Sequence, residues 1–409
     1  MAAEVAEDNP DLQTLLTDNG LADPTAFYRR WRSWEAEHGP HPVLVLGHGA
    51  ISEVYADKEM IAARIGNVIA SASEAGRLEI EPVQDLLLSI IAFLDPPDHT
   101  RLRRIMSSAF TPRVIRHQEA AVRAIADRLI SEMAAGGNPD LVDAVAYPMP
   151  SMVIGAMLGV PETDLANFGR WAMTIVEFVG AASPSDAQST AIADALAQTR
   201  EYLSDLAVRR RAEPTDDLFS SMLAVATGED DAGATDDELF ANSLFLMTAG
   251  HETATNGITN GILALLQHPE QRRLLTRQPD LIGSAVEEML RFDSPIQVSA
   301  RLCDRDRVVA GRDRRAGKPL VLVLGAGNHD PTVFTEPGRF DITRSEERHL
   351  SFGHGRHFCL GASLARSEMS VVIPGLLQTF PDLALADPDG IQWQPTLNFR
   401  GVRSLPVTW

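Results

Sequence analysis

Lysine is almost missing from this chain: Lys58 and Lys318 are the only two, so nearly all of its 36 Lys and Arg residues are arginines. Acidic residues outnumber them at 56, and the formal net charge is -20. That balance lacks the basic footprint a phosphate backbone requires and argues against nucleic acid as a partner. Cysteine is equally scarce, with only Cys303 and Cys359, so no disulfide framework is expected and a reducing compartment fits. Long apolar runs are absent too. The first residues, Met1 to Asp8, are acidic, and no stretch reaches the roughly 20 apolar residues of a membrane span. A soluble, cytoplasmic protein without a membrane partner is expected. Neither a fixed-period repeat nor a low-complexity linker divides the 409 residues, so a single domain over 1–409 is expected.

What is present is ordinary globular composition, 44% hydrophobic and 22% charged, with one unusual loop. Ser351-Phe352-Gly353-His354-Gly355-Arg356-His357-Phe358-Cys359-Leu360-Gly361 leads into a helical pattern from Ala362. A cysteine at a helix mouth meets unpaired N–H groups and the positive end of the dipole, which favour thiolate over thiol. Gly353, Gly355 and Gly361 let the backbone approach a bulky group. A buried structural cysteine is the plainer alternative. Three glycines at fixed offsets, a leading aromatic and a following helix argue against it.

Helical periodicity covers residues 24–38 and most of 116–230, with breaks at 136–139, 159–161 and 182–184. Leu86 to Ile91 is apolar enough for cavity lining or for core. Asp95-Pro96-Pro97-Asp98 opens a helix on which His99 and Arg103 share a face; a solvated basic face and an anion clamp remain equally open. Residues 235–267 form the clearest helix, roughly 48 Å long. Thr235 and Glu238 make its capping box and Pro269 ends it. Its middle, Ala249-Gly250-His251-Glu252-Thr253, spends a glycine and a threonine where propensity disfavours them. A structural kink and a proton path from acid to alcohol are the two readings. Glu288 and Arg291 are spaced to pair, a weak signal alone. Gln297, Ser299 and Arg301 fall on one face of a strand, and residues 306–325 read as a hairpin.

Taken in order, Asp95 to Arg101, Ala249 to Thr253, Glu288 to Arg291, Phe334 to Phe340 and Phe352 to Gly361 resemble the cytochrome P-450 family of haem-thiolate monooxygenases, in its soluble bacterial form. The resemblance spans essentially the whole length, and the cysteine loop is its most specific part. It implies a mainly α fold with small β-sheets (α+β), a helix-rich region and a smaller β-rich region around a buried haem. Gly327 and His329 depart from the alanine and arginine usual around the Asn-Asp-Pro turn, and residues 47–60 depart from the usual first sheet.

The resemblance also implies roles. Cys359 would be the axial ligand of the iron of haem b (iron protoporphyrin IX), with Phe352, Gly353 and Gly361 around it and Ala249 and Gly250 on the opposite face. His99, Arg103, Arg301 and His357 would hold the haem propionates. Glu252 and Thr253 would steer protons to dioxygen. Glu288, Arg291 and Arg339 would lock the scaffold behind the cysteine loop. Periodicity adds Phe245, Thr248, Ala249, Gln297, Ser299 and Phe399 as substrate positions, with core packing the alternative for each. The implied activity inserts one oxygen atom of O2 into a small organic substrate. Its two electrons would come from a ferredoxin-type donor with an NAD(P)H-dependent reductase, docking near Arg101, Arg104, Arg113 and Arg356. Rival readings are a peroxide-driven peroxygenase, against which the Glu252–Thr253 pair speaks, a non-catalytic haem module, and a cysteine hydrolase, for which no histidine–acid partner set is evident.

Overall fold

Local capping chemistry sets the helix starts. The computed structural model describes residues 10–62, 88–136, 139–180, 185–226, 233–346 and 348–409. Leu86 and Leu87, the Gly137-Asn138 part of one expected break, the break at 182–184 and the Arg113 side chain lie outside the described residues. The helices used below are α1 (Pro24–His38), α2 (His48–Ala56), α3 (Asp98–Ala109), α4 (Asp236–Gln267), α5 (Ile282–Phe292) and α6 (Ala362–Thr379). In α1, Asp23 accepts the Thr25 amide at 2.9 Å and Pro24 opens the first turn. For α4 the expected capping box is present: the Thr235 hydroxyl accepts from the Glu238 amide at 3.2 Å and the Glu238 carboxylate from the Thr235 amide at 2.8 Å. The helix assignment runs unbroken through Ala249 to Thr253. Helix with small sheets, the expected class, is what the chain forms.

The chain divides into two compact units. One comprises Met1–Ile61, Val122–Met149 and Thr253–Trp409; the other comprises Ala62–Ala121 and Pro150–Glu252. The first unit holds a sheet of β1 (Leu44–Val45), β2 (Met60–Ile61), β3 (Val298–Cys303) and β6 (Pro319–Val323) in the order β1-β6-β3-β2. Only β1 and β6 run parallel. Side chains on its faces feed two apolar clusters, one with Val45, Ile51, Val54, Cys303 and Leu322, the other with Tyr28, Trp31, Leu46 and Val323. The expected hairpin over 306–325 resolves into two ladders. β4 (Arg307–Val309) and β5 (Arg312–Arg314) pair with each other, through a turn in which Ala310 and Gly311 both take left-handed φ. β6 instead pairs with β3. Close approach to α4 depends on two glycines: a Cβ on Gly257 would lie 3.4 Å from Met369 Sδ, and one on Gly261 would lie 2.9 Å from Met289 Sδ.

In the second unit, helices Leu165–Gly180 and Asp186–Ala212 pack through Phe168, with ring centroids 5.1 Å from Trp171 and 5.0 Å from Tyr202. Asn242 on α4 donates to Ser89 O at 2.9 Å and accepts the Ile91 amide at 2.9 Å, tying down the turn that carries Phe93.

One core residue of the first unit runs against composition. Glu368 on α6 is 1% exposed and its Oε2 has no hydrogen-bond partner among the described residues. Burial pushes its carboxyl from 4.5 up to about 8. Between those values the folded chain keeps a proton that the unfolded chain releases, so stability must fall as pH rises, by at most about 1.4 kcal/mol per pH unit. Replacing Glu368→Gln should flatten that slope between pH 5 and 8; thermal unfolding across this range checks it, and parallel curves for the two proteins would contradict it.

Candidate functional site

The cysteine loop is built from backbone hydrogen bonds that need its glycines. Gly353 and Gly355 have φ of 68° and 72°, and the Gly353 amide donates to Leu350 O at 2.8 Å. A Cβ on Gly355 would meet Tyr55 O at 2.5 Å, so α2 leaves no room for a side chain there. The chain then doubles back, and the Cys359 amide donates to Phe352 O at 2.9 Å. α6 begins three residues later, at Ala362. Cys359 is exposed whereas Cys303 is sealed in the core, beside Met60 Sδ at 3.7 Å. Burial raises the Cys303 thiol pKa. Of the two cysteines, then, the one in the loop is the one placed to meet a ligand. A Cβ on Gly361 would touch nothing within 4 Å, so the loop leaves open space at that position.

Arg301 on β3 lies over the Tyr55 ring, Cζ 4.9 Å from its centroid, and its Nη1 donates to Ala300 O at 2.8 Å. His357 is half-buried in the 3-10 turn just before Cys359. Thr253 and Ser299 are half-buried as well. Gln297 is different: its Oε1 takes the Tyr28 hydroxyl, its Nε2 donates to Ser294 O at 2.7 Å, and its amide donates to Asn398 O at 2.9 Å. Each side-chain polar group already has a protein partner, so Gln297 braces this unit. Phe399 is half-buried and bridges Ile296 through the backbone.

In the second unit His99 is 3% exposed on the first turn of α3, and Arg103 is half-buried four residues on. Phe245, Thr248, Ala249, Gly250 and Glu252 are half-buried on α4. Phe245 faces Phe93 at 6.4 Å, and the Thr248 hydroxyl donates to Leu244 O at 3.0 Å. Arg101, expected to meet an electron donor, is committed elsewhere. It pairs with Glu238 at 2.5 Å and Asp98 at 3.2 Å and donates to Gly233 O at 2.7 Å. Arg356, in the first unit, donates to Asp57 O at 3.3 Å.

Behind the loop the Glu288–Arg291 pair is sealed, with side-chain exposures of 0% and 2%. Two parallel bonds of 2.6 and 2.9 Å join them. Arg291 also donates to the carbonyls of Asn328, Pro337 and Arg339 at 2.9, 2.9 and 3.3 Å. Arg339 was expected as the third member of this lock, but it contributes only that carbonyl. Its guanidinium is 60% exposed and pairs with Glu336 and Asp341. The second cation on Glu288 is Arg344, at 3.1 Å. Asn328 passes the lock on to the loop, taking the Leu350 amide at 2.7 Å and donating to the Ser351 hydroxyl at 2.9 Å, which donates to Leu290 O at 2.7 Å.

Residues beyond the expected set complete the neighbourhood. Arg366 on α6 holds the Glu287 carboxylate through bonds of 2.5 and 2.9 Å and lies 4.5 Å over the Phe352 ring. His349 lies 3.4 Å from the same carboxylate. Burial works to raise the Glu287 pKa, but Arg366 and His349 outweigh it and bring the pKa down to about 2. Glu287 and Arg366 are 79 residues apart, so no local spacing rule could have paired them.

The donor set matches what a haem needs. In the first unit it offers an exposed cysteine at a helix mouth, with Arg301 and His357 able to meet carboxylates. Comparison with known proteins agrees. The Cytochrome P450 family model matches residues 34–278 and 279–389. The chain is 43% identical to a vitamin D(3) 25-hydroxylase of Pseudonocardia autotrophica, over 78% of this chain and 77% of that one. It is 39% identical to a biotin biosynthesis cytochrome P450 of Bacillus subtilis (strain 168), over 78% and 80%. The crystal structure of CalO2 superposes with a TM-score of 0.88 at 30% identity, covering 98% of this chain and 99% of that one.

The buried lock makes a direct prediction. Arg291→Met strands the Glu288 carboxylate in the core and should cost roughly 3–5 kcal/mol in chemical denaturation. A loss no larger than that from removing Arg200 from its exposed pair with Asp237 would contradict the assignment.

Proposed function

The chain belongs to the cytochrome P450 family and is a haem-thiolate monooxygenase, oxidising an organic substrate with O2 and electrons from redox partners; on that premise we propose that residues 1–409 work as one catalytic domain in which Cys359 is the axial ligand of haem b. The observation that carries this is the exposed cysteine whose backbone amide is anchored on Phe352 O at the mouth of α6. The bound haem supplies O2 activation, for which an axial thiolate favours O–O cleavage.

The protein's own residues supply binding, orientation and protons. His99, Arg103, Arg301 and His357 offer the cations and N–H donors for the propionates. Arg301 is braced for this by the Tyr55 ring. Gly353 and Gly361 keep the loop slim, and Ala249 and Gly250 keep the middle of α4 slim. The Glu252 carboxyl is the proton source, and the Thr253 Oγ1 holds the proton next along, where it can be handed to dioxygen. Phe245, Thr248, Ala249, Ser299 and Phe399 select the substrate, with apolar surface predominating. Glu288 and Arg291 do not touch substrate; they hold the loop in place through Asn328.

The electron donor in this proposal is a ferredoxin-type protein fed by an NAD(P)H-dependent reductase. Arg104 and Arg356 are its candidate contacts, since Arg101 is held by Glu238. Cytoplasmic placement belongs to the same proposal and is supported by two cysteines that are both thiols. No helix among the described residues is long and apolar enough to cross a membrane.

The reduced carbon monoxide complex should show the thiolate-type Soret band, and Cys359→Ser should abolish it; a band retained in that variant would refute the ligand assignment. With ferredoxin, reductase and NAD(P)H, Thr253→Ala should still consume reductant yet return less product per NAD(P)H and more peroxide. Unchanged coupling would remove Thr253 from the proton path. Turnover with peroxide alone, and none with the electron-transfer proteins, would favour the peroxygenase.

A further inference from the structure

The cluster behind Phe352 is built as a charged support. Glu287 on α5 takes Nε and Nη2 of Arg366 in a two-pronged pair at 2.5 and 2.9 Å. The Ser351 amide donates to His349 Nδ1 at 3.1 Å, so in the neutral ring the proton sits on Nε2. That Nε2 is the atom 3.4 Å from Glu287. Phe352 is contacted on several sides. Arg366 Cζ is 4.5 Å from its centroid, and the His349 and Phe358 rings are centred 5.5 and 6.3 Å away. The carbonyl of that same Phe352 receives the Cys359 amide.

Two local rings and one arginine from α6 therefore converge on the residue whose backbone orients the cysteine. A surface ion pair needs none of this, and one placed only for stability would have no reason to put its cation on an aromatic face beside the cysteine. Arginine suits the position because its planar fork can bind a carboxylate edge-on while its face lies on a ring.

We propose that Arg366 is a positioning residue for the Cys359 ligand, seated on Phe352 by Glu287 and His349, and that this charged pair tunes the electron affinity of the metal the sulfur holds. The inference rests on the reading of Cys359 as the axial ligand. Reduction adds an electron, which a nearby cation favours and a nearby anion opposes. Removing the cation by Arg366→Met must therefore move the reduction potential to more negative values. Removing the anion by Glu287→Gln must move it to more positive values.

The experiment is spectroelectrochemical titration of the holoenzyme: wild type, Arg366→Met, Arg366→Lys and Glu287→Gln, with the reduced carbon monoxide spectrum and thermal unfolding recorded for each. Shifts of opposite sign for Arg366→Met and Glu287→Gln, with the Lys variant between Arg366→Met and wild type, support the proposal. A merely structural pair would loosen the loop in both variants, moving both potentials the same way with similar loss of the thiolate band; that result, or unchanged potentials, overturns it. If Arg366→Met fails to fold, Arg366→Gln, which also removes the cation, carries the same sign test against Glu287→Gln. A wild-type complex without the thiolate band would overturn the Cys359 reading and this proposal together. A normal wild-type band with potentials of one sign overturns this proposal alone.

Discussion

The first unit depends on one ion pair hidden from water. Glu288 and Arg291 lose nearly all their hydration, a cost that attraction alone rarely recovers in a protein interior. It is offset because hardly a donor or acceptor is wasted. Glu288 takes two bonds from Arg291, one from Arg344 and the Asp341 amide at 2.8 Å. Arg291 spends its remaining donors on three backbone carbonyls. Those carbonyls lie at the last residue of the short helix Leu324–Asn328 and in the irregular backbone of Pro337 and Arg339. The buried pair thus does for loop backbone what a helix or sheet does for itself.

The consequence reaches the chemistry. Arg291 fixes the Asn328 carbonyl, the Asn328 side chain fixes Leu350 and Ser351, and Ser351 returns to Leu290 on the helix that carries the pair. This closed circuit sets where the cysteine loop begins. From there the left-handed glycines and the Cys359 amide bond to Phe352 O set where the sulfur ends up. A reactive group on a loop is thereby held by regular elements it does not belong to, which is how a loop can be slim and still precise in position.

How much of this could be read from the sequence depended on range. α1 was legible to its boundaries because Asp23, Pro24 and Gly39 are local signals, and the Thr235–Glu238 box is equally local. The cysteine loop was legible because its glycines encode backbone conformation directly. Where partners are far apart the reading failed. Arg339 and Arg344 are interchangeable by composition, and only the fold decides which one reaches Glu288, 56 residues away. Gln297 shares a strand face with Arg301, yet Tyr28, 269 residues distant, had already claimed it. Periodicity assigns a face; it cannot say whether that face meets solvent, ligand or another side chain.

The near absence of lysine now has a physical reason. The buried and half-buried cations do work that needs several donors in one plane. Arg312 reaches the carbonyls of His41, Ala310 and Leu44 along with the Glu35 carboxylate. Arg32 reaches the carbonyls of Leu46 and Ala326 and the Asp330 carboxylate. Arg400 joins Asp293, the Leu21 carbonyl and the Trp393 ring. A lysine ammonium has three donors on one atom and no face to stack, so it could serve one such partner well and abandon the others.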